Sequence, residues 1–439
     1  MITSQTSPSF SLTQQSAIPR QLLLHVHIPH GQISIMYQQA LASIKRDIHT
    51  YGFARGATPE SYIAHTYKPL LIDHLKHFFM HHAVHALLHK GIAAHKIIAL
   101  HMPRSRHVLL DPDAGAQFTF SVRTSVNPVK NEWKKLHFKA PGRKNYKDLD
   151  RQVEFFLQEE EKKRQDSQRA NEKGISFHDW VCFIITLVDA QHQGILAPLE
   201  QKVWIKIGEE EADQQAQALF LGKKVGNSFV TDHIFFQDTV SENFTTHYLF
   251  NVTIVHHAAS DFFDIERFKM HFRLKSAKET HQKLIEVFSY RHDISQRREM
   301  VDKLFKLLFY HYPLDIDSDI VAQQEKLVLA RVQENPDYHV YKNQSDFRDK
   351  VTLLAQNQIK DRLFIDGIAH QENIQATDED VLHYLHFFKR PRMKEFIYFD
   401  IPQSQVNDQE VTLCHEEIRR ACRREKTLNH VLYYLTKKA

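Results

Sequence analysis

Residues 48–62 read IHTYGFARGATPESY. Gly52, Phe53, Arg55, Gly56 and Pro59 fall in one short loop between two helical segments. Before it, Tyr37, Leu41, Ile44 and Ile48 recur at steps of four, three and four, which places them on one helix face. After it, a longer helix entered at Ser61 or near Pro69 carries Leu71, Leu75, Phe78, Ala83 and Leu87. A Phe left in water forgoes about 1.5–3 kcal/mol of burial, so Phe53 either tucks under its own turn or inserts into another surface. Gly52 and Gly56 permit positive φ and close approach. Arg55 can fork onto a phosphate or carboxylate, and Lys45 and Arg46 bring further positive charge from the preceding helix. A tight inter-helix turn is the plain alternative.

Around this helical pair the chain alternates as strands do. LLLHVHIP sets Leu24, Val26 and Ile28 against His25 and His27, and HVLLDP and QFTFSVRTS supply two more strand-like pieces. Residues 21–130 therefore read as an α+β unit. Residues 131–173 read as a basic, proline-bounded connector followed by a charged helix, LQEEEKKRQDSQR, of the kind that usually forms a solvated face. From 174 to 257 the period changes: WVCFIITLVDA, KVWIKIG, SFVTDHIFF and HYLFNVTIVHH are strand-like and predict a small antiparallel domain. Residues 258–439 read as almost entirely helical. SAKE (276–279) and TDED (377–380) match helix-start capping boxes, and Pro313, Pro336, Pro391 and Pro402 punctuate the helices. The last stretch, from Val411, reads as a helix pair or one bent helix. The fold class is multidomain α+β: an α+β N-terminal domain, a small antiparallel β domain and an all-α C-terminal domain.

The bulk numbers suit that reading. The 439 residues carry 57 Lys and Arg against 53 Asp and Glu, a net charge of +4 that by itself implies no nucleic-acid partner. Only 12 glycines favour long helices over glycine-rich cofactor loops. Three scattered cysteines, Cys182, Cys414 and Cys422, fit a reducing compartment, so a cytoplasmic location is expected. The longest apolar run, near VCFIITLV, is too short for a membrane span, and no membrane partner is expected. Residues 1–20 are polar and read as a disordered tail.

No Walker loop, G-x-G-x-x-G, G-x-S-x-G or H-E-x-x-H pattern is present, so no cofactor is expected and no catalytic residue is assigned. Among 31 histidines, His77, His81, His85 and His89 step by four. Each step drifts about 40° around a helix, so the four cannot converge on one ion, and no metal site is expected.

The order of these elements resembles trigger factor, the ribosome-associated bacterial chaperone family, from residue 21 to the C-terminus. In that family a strand and helix lead into a loop of pattern G-F-R-x-G-x-x-P and then a long helix. Here the loop reads Gly52, Phe53, Ala54, Arg55, Gly56, Ala57, Thr58, Pro59. The resemblance implies docking of this loop on the large ribosomal subunit at the tunnel exit, on protein and rRNA, with Phe53 and Arg55 as the docking residues. Ala54 stands where the family usually has Arg, and Ala57 where Lys is frequent. Fewer phosphate contacts imply weaker, less salt-sensitive docking.

Residues 174–257 resemble the family's FK506-binding-type prolyl isomerase domain, most clearly from Ile207 and Gly208 to Gly226. Where that domain carries a Phe-Ile pair and a Gly-Phe-Glu, this chain has Ala212, Asp213, Gln215, Ala216 and Gln217. Isomerisation needs a dry apolar pocket to act against a barrier of about 18–20 kcal/mol, so weak or absent activity is expected. The alternatives are an active isomerase with a pocket rebuilt from Trp204, Phe220, Phe235 and Phe236, and a ribosome-independent holdase or assembly scaffold.

HYPLDIDSDIVAQQEKLVLARV, DRLFIDGIAHQENIQATDEDVLHYL and REKTLNHVLYYLTKKA look like the family's substrate-cradling helices. The resemblance implies unfolded nascent polypeptides as partners and an ATP-independent chaperone as the function, with weak homodimerisation a further expectation. Phe364, Phe387, Phe388, Phe396, Tyr398, Tyr433 and Tyr434 are the cradle candidates, although aromatic residues at helical spacing are more often core.

Overall fold

The structure is a computed structural model that describes residues 8–14, 20–129, 131–141, 149–169, 174–196, 201–240, 245–260, 263–288, 290–291, 294–388 and 397–437. Strand β1 (Ser9–Gln14) pairs antiparallel with β2 (Gln21–Ile28). Then come α1 (His30–Asp47), α2 (Glu60–Thr66), α3 (Lys68–Phe79), a π-helical turn at Met80–Val84, and α4 (His85–Ala94). Strands β3 (Arg104–Asp111) and β4 (Gly115–Arg123) complete a sheet of order β1-β2-β4-β3. The alternation in LLLHVHIP sorts as its period dictates: Leu24, Val26 and Ile28 are fully buried, and Leu24 and Val26 stand opposite Phe120 and Phe118.

Two expectations about connecting segments are corrected. Within the stretch read as a disordered tail, Ser9–Gln14 form an edge strand, because Phe10 and Leu12 are spaced for one face and pack on the core. The Phe10 ring reaches α4 at Gly91, where a Cβ would lie 2.5 Å from ring atoms. The connector and charged helix are also more than a solvated link. Trp133, in a short 3₁₀ turn (Asn131–Lys135), is fully buried among C-terminal helices. Helix α5 (Leu149–Arg169) buries Leu149 and Val153 against C-terminal side chains, and its buried Glu160 accepts the Phe263 N–H.

The second sheet is wholly antiparallel. It contains β5 (Trp180–Val188), β6 (Gln201–Lys206), β7 (Ser228–Thr231) and β8 (Leu249–Ala258), with α6 (Gln214–Phe220) and α7 (Ile234–Val240) between strands. SFVTDHIFF is not one strand. It leaves the sheet after Thr231, whose hydroxyl accepts the His233 N–H at 3.1 Å, and enters α7. Phe235 and Phe236 then point into the core from a helix. This sheet shares one core with the N-terminal unit, in which Leu75, Phe78 and Phe79 join Phe183, Phe236 and Tyr248.

The C-terminal part contains α8 (Ile265–Phe272), α9 (Ala277–Phe288), a ribbon of β9 (Tyr290–Arg291) and β10 (Ile294–Ser295), α10 (Gln296–His311), α11 (Ser318–Gln333), α12 (Tyr338–Tyr341), α13 (Phe347–Gln371) and α14 (Asp378–Phe387). A second ribbon, β11 (Gln405–Val406) with β12 (Gln409–Glu410), leads to β13 (Leu413–Cys414) and α15 (His415–Lys437). The final stretch is thus one helix. The capping box at Thr377 forms with Asp380, and Ser276 accepts the Glu279 N–H at 3.2 Å. β13 adds to the edge of the second sheet beside β6, giving the order β13-β6-β5-β8-β7. At the centre of the helical part, the fully buried Glu425 accepts Arg297 at 2.6 Å and the backbone N–H groups of Tyr398 and Phe399.

Candidate docking loop and middle-domain site

Loop 48–59 is built from two successive turns, in which Phe53 N–H donates to Thr50 and Ala57 N–H to Ala54. Gly52 and Gly56 take φ of +88° and +79°, the left-handed region that the turns require. No neighbour crowds either Cβ position closely, so these glycines serve conformation rather than space. The turns hold the tip outward: Tyr51 is fully exposed, Phe53 is 39 % exposed, and the Phe53 ring leans on Tyr62 at 6.0 Å. Tyr51 was not among the residues singled out from the sequence. Its signal was its place beside Gly52 at the tip.

The basic groups are only partly free. Arg55 donates to Asp47 at 2.7 Å, with 68 % of its side chain exposed, and Lys45 reaches Glu60 at 3.0 Å. Arg46 is exposed and makes no ion pair with any described residue. Pro59 sits just ahead of α2 as its N-cap. Asp47 also accepts His247 from the flank of β8, and these two partners, His247 first, hold its carboxyl below the ordinary aspartate range. Nearby, His74 bonds the buried Tyr248 hydroxyl at 2.7 Å, and burial pulls the His74 ring down to about 4. The helices that carry the loop are thus keyed to the middle sheet.

In the middle unit, Ala212 is exposed, Gln215 and Gln217 are half-buried, and Asp213 and Ala216 are buried. Asp213 accepts the Glu410 N–H at 2.9 Å, and Gln217 donates to the carbonyls of Gly208 and Glu210. Asp213 and Gln217 therefore hold backbone, including a C-terminal strand. Trp204, Phe220 and Phe236 are core residues with almost no exposure, and Phe235 is buried beside them. The Trp204 indole N–H donates to His415 Nδ1 at 2.9 Å. Burial lowers His415 to about 4, which keeps that nitrogen an acceptor.

The cradle candidates scatter. Phe364 and Phe387 are fully buried, so neither offers a surface, because both lie on inward stripes of α13 and α14. Tyr398 is half-buried, and its hydroxyl donates to Asp361 at 2.5 Å. Tyr434 packs on Trp133, and Tyr433 lies under Lys437. Phe388 lines a recess of about 570 Å³ with Ile397, Ile401 and Pro402. Phe396 lies outside the described residues. The sequence reading missed the exposed apolar groups of the α11–α13 hairpin: Leu327, Val340, Leu353 and Leu354. Adjacent leucines on one helix lie about 100° apart. Val351, Ala355 and Ile359 already form the buried stripe, so Leu353 and Leu354 had to face outward.

The histidine ladder runs through the π turn. The rings of His77 and His81 lie 4.5 Å apart, and His89 bonds Glu417 at 3.2 Å. Among the described residues no group of three metal-ligand side chains converges, and no helix there is long and apolar enough to cross a membrane.

No curated protein matches the chain. One solved structure, from work on promiscuous substrate recognition in the folding and assembly activities of the trigger factor chaperone, covers 96 % of this chain and 99 % of its own at 14 % identity. Its TM-score is 0.32, too low to bear on how the parts are arranged. Residues 10–155 match the family model for bacterial trigger factor protein, a span that contains β1, the loop and the helices on either side of it. That span is about a third of the chain, and over it the chain is similar to bacterial trigger factor protein.

Proposed function

We propose that this protein is an ATP-independent chaperone that docks through loop 48–59 on the large ribosomal subunit at the tunnel exit, in the cytoplasm, and covers emerging polypeptides. The observation that carries the reading is the loop itself: an aromatic residue held partly in water by two positive-φ glycines, beside guanidinium groups, within the segment matching the family model. The Arg55–Asp47 pair does not oppose docking. An exposed ion pair contributes about 0–1 kcal/mol, so Arg55 can exchange Asp47 for a ribosomal phosphate at little cost. Arg46 is exposed for a second contact.

Client cover falls to the exposed apolar side chains of the α11–α13 hairpin and the Phe388 recess. Dispersed apolar groups in polar surroundings hold unfolded segments weakly and reversibly. The middle unit serves structure rather than isomerisation in this reading, since Trp204 and Asp213 hold the C-terminal chain. Co-sedimentation with ribosomes tests the docking. Wild type pellets at low salt, and Phe53→Ala with Arg55→Ala does not; equal pelleting of both would sink the reading.

A further inference from the structure

Strand β3 ends the first sheet: it pairs with β4 on one side and, among the described residues, with no strand on the other. In such a strand every second residue turns its N–H and C=O away from the ladder. Among the described residues, nothing hydrogen-bonds to the backbone on that side of Arg104–Leu110. Nor is the strand buried. Arg104, Ser105, Arg106, His107, Leu109 and Asp111 are all exposed, Leu109 by 56 %. Val108 and Leu110 turn inward and pack on the N-terminal core.

The register of β3 on β4 breaks between Ser105 and His107, where Arg106 is the extra residue of a bulge. Without it, a period of two would send Arg104 and His107 to opposite faces. With it, Arg104 stands opposite Ser121 and His107 opposite Thr119, so both take the outer face of the sheet. Arg106 Nε donates to the Ser121 hydroxyl at 2.8 Å, which lays its guanidinium along the same face. A hydroxyl cancels no charge, and among the described residues neither arginine forms an ion pair. The acid of this strand, Asp111, lies at its other end and accepts the Asp113 N–H at 2.9 Å. The open edge is therefore positive over its first half.

We propose that this edge takes an extended acidic segment of a partner protein as a further antiparallel strand. Backbone pairing supplies the affinity, and the two arginines select the sequence. Antiparallel addition continues the pairing already present throughout the sheet. Acids at every second position of the segment would meet Arg104 and Arg106 on the outer face. Apolar residues between them would extend the inner face begun by Val108 and Leu110. A basic segment would set like charges side by side and is disfavoured. Arginines and a bulge on an edge also guard it against unwanted pairing, and an acidic partner is the one for which that guard becomes an attraction.

The test is fluorescence anisotropy of the full-length protein with a labelled peptide of five Val-Glu repeats, at constant ionic strength. Saturable binding is expected, with a Val-Lys peptide of the same length bound roughly 10-fold or more weakly. In Arg104→Glu combined with Arg106→Glu the preference should reverse. Peptide N-methylation gives a readout that charge alone would not move. Methylating the Val amides or the Glu amides should abolish binding in one frame and spare it in the other, because only every second residue of an added strand faces the edge. That comparison uses wild type alone and serves if the double variant does not fold. No saturable binding by wild type, equal binding of the two peptides, an unchanged preference in the folded double variant, or equal effects of the two methylation frames overturns the proposal.

Discussion

Asp47, the last residue of α1, holds Arg55 of its own loop at 2.7 Å. The same carboxylate takes His247 from the middle unit, so one side chain ties the loop cation and a neighbouring sheet together. Asp47→Asn removes the competitor for Arg55 and weakens the tie to His247. If the loop docks on phosphate, ribosome affinity at low salt should rise by up to about 5-fold, the equivalent of an exposed pair of at most 1 kcal/mol. A binding titration of the variant reads this, and a large loss of affinity would argue against a free Arg55 as the docking group.

Acid should destabilise the protein early. Burial depresses His74, His370 and His415 to about 4, and His82 and His271 to about 3, each from an ordinary 6.5. The unfolded chain therefore binds more protons as pH falls below 6.5. Stability is fully present above that value and is lost toward the folded values, at up to about 1.4 kcal/mol per histidine per pH unit. Urea midpoints measured from pH 7.5 to 5.5, above the carboxylate range, should fall steeply, and a flat profile would refute the buried-neutral assignment.

Glu425→Gln should be among the most damaging single changes. It leaves Arg297 without its carboxylate in a dry core and weakens the acceptor of two backbone N–H groups. Breaking such a buried pair costs about 3–5 kcal/mol. Circular dichroism with urea titration measures it, and a change below about 1 kcal/mol would mean that water or another group compensates.

Gly91→Ala tests the N-terminal edge strand. The added methyl would meet the Phe10 ring at 2.5 Å, and overpacking of this kind costs about 1–3 kcal/mol. Amide exchange should show β1 opening first. Unchanged protection across Ser9–Gln14 would mean that Phe10 has room to move.

Much of the fold was legible because period and packing agreed. The Leu24, Val26, Ile28 alternation and the Leu41 and Ile44 spacing each named the face that is buried. The failures share a cause: short apolar signals inside polar stretches. Phe10 and Leu12 were hidden in a Ser, Thr and Gln background, and Trp133 in a run of lysines. SFVTDHIFF is apolar on either period, so its strand-to-helix change turned on Thr231 and His233 rather than on hydrophobicity. For the loop, the glycines announced the turns, but the Asp47 partner of Arg55 lay eight residues back across a helix end.

The most direct test of the docking account is photocrosslinking from position 53. A photoreactive residue replacing Phe53, incubated with large ribosomal subunits, should join a protein at the rim of the exit tunnel, whereas the same residue at Tyr310, also well exposed, should not. Crosslinks from position 53 only to this chain itself, or to the ribosome no more than from position 310, would contradict it.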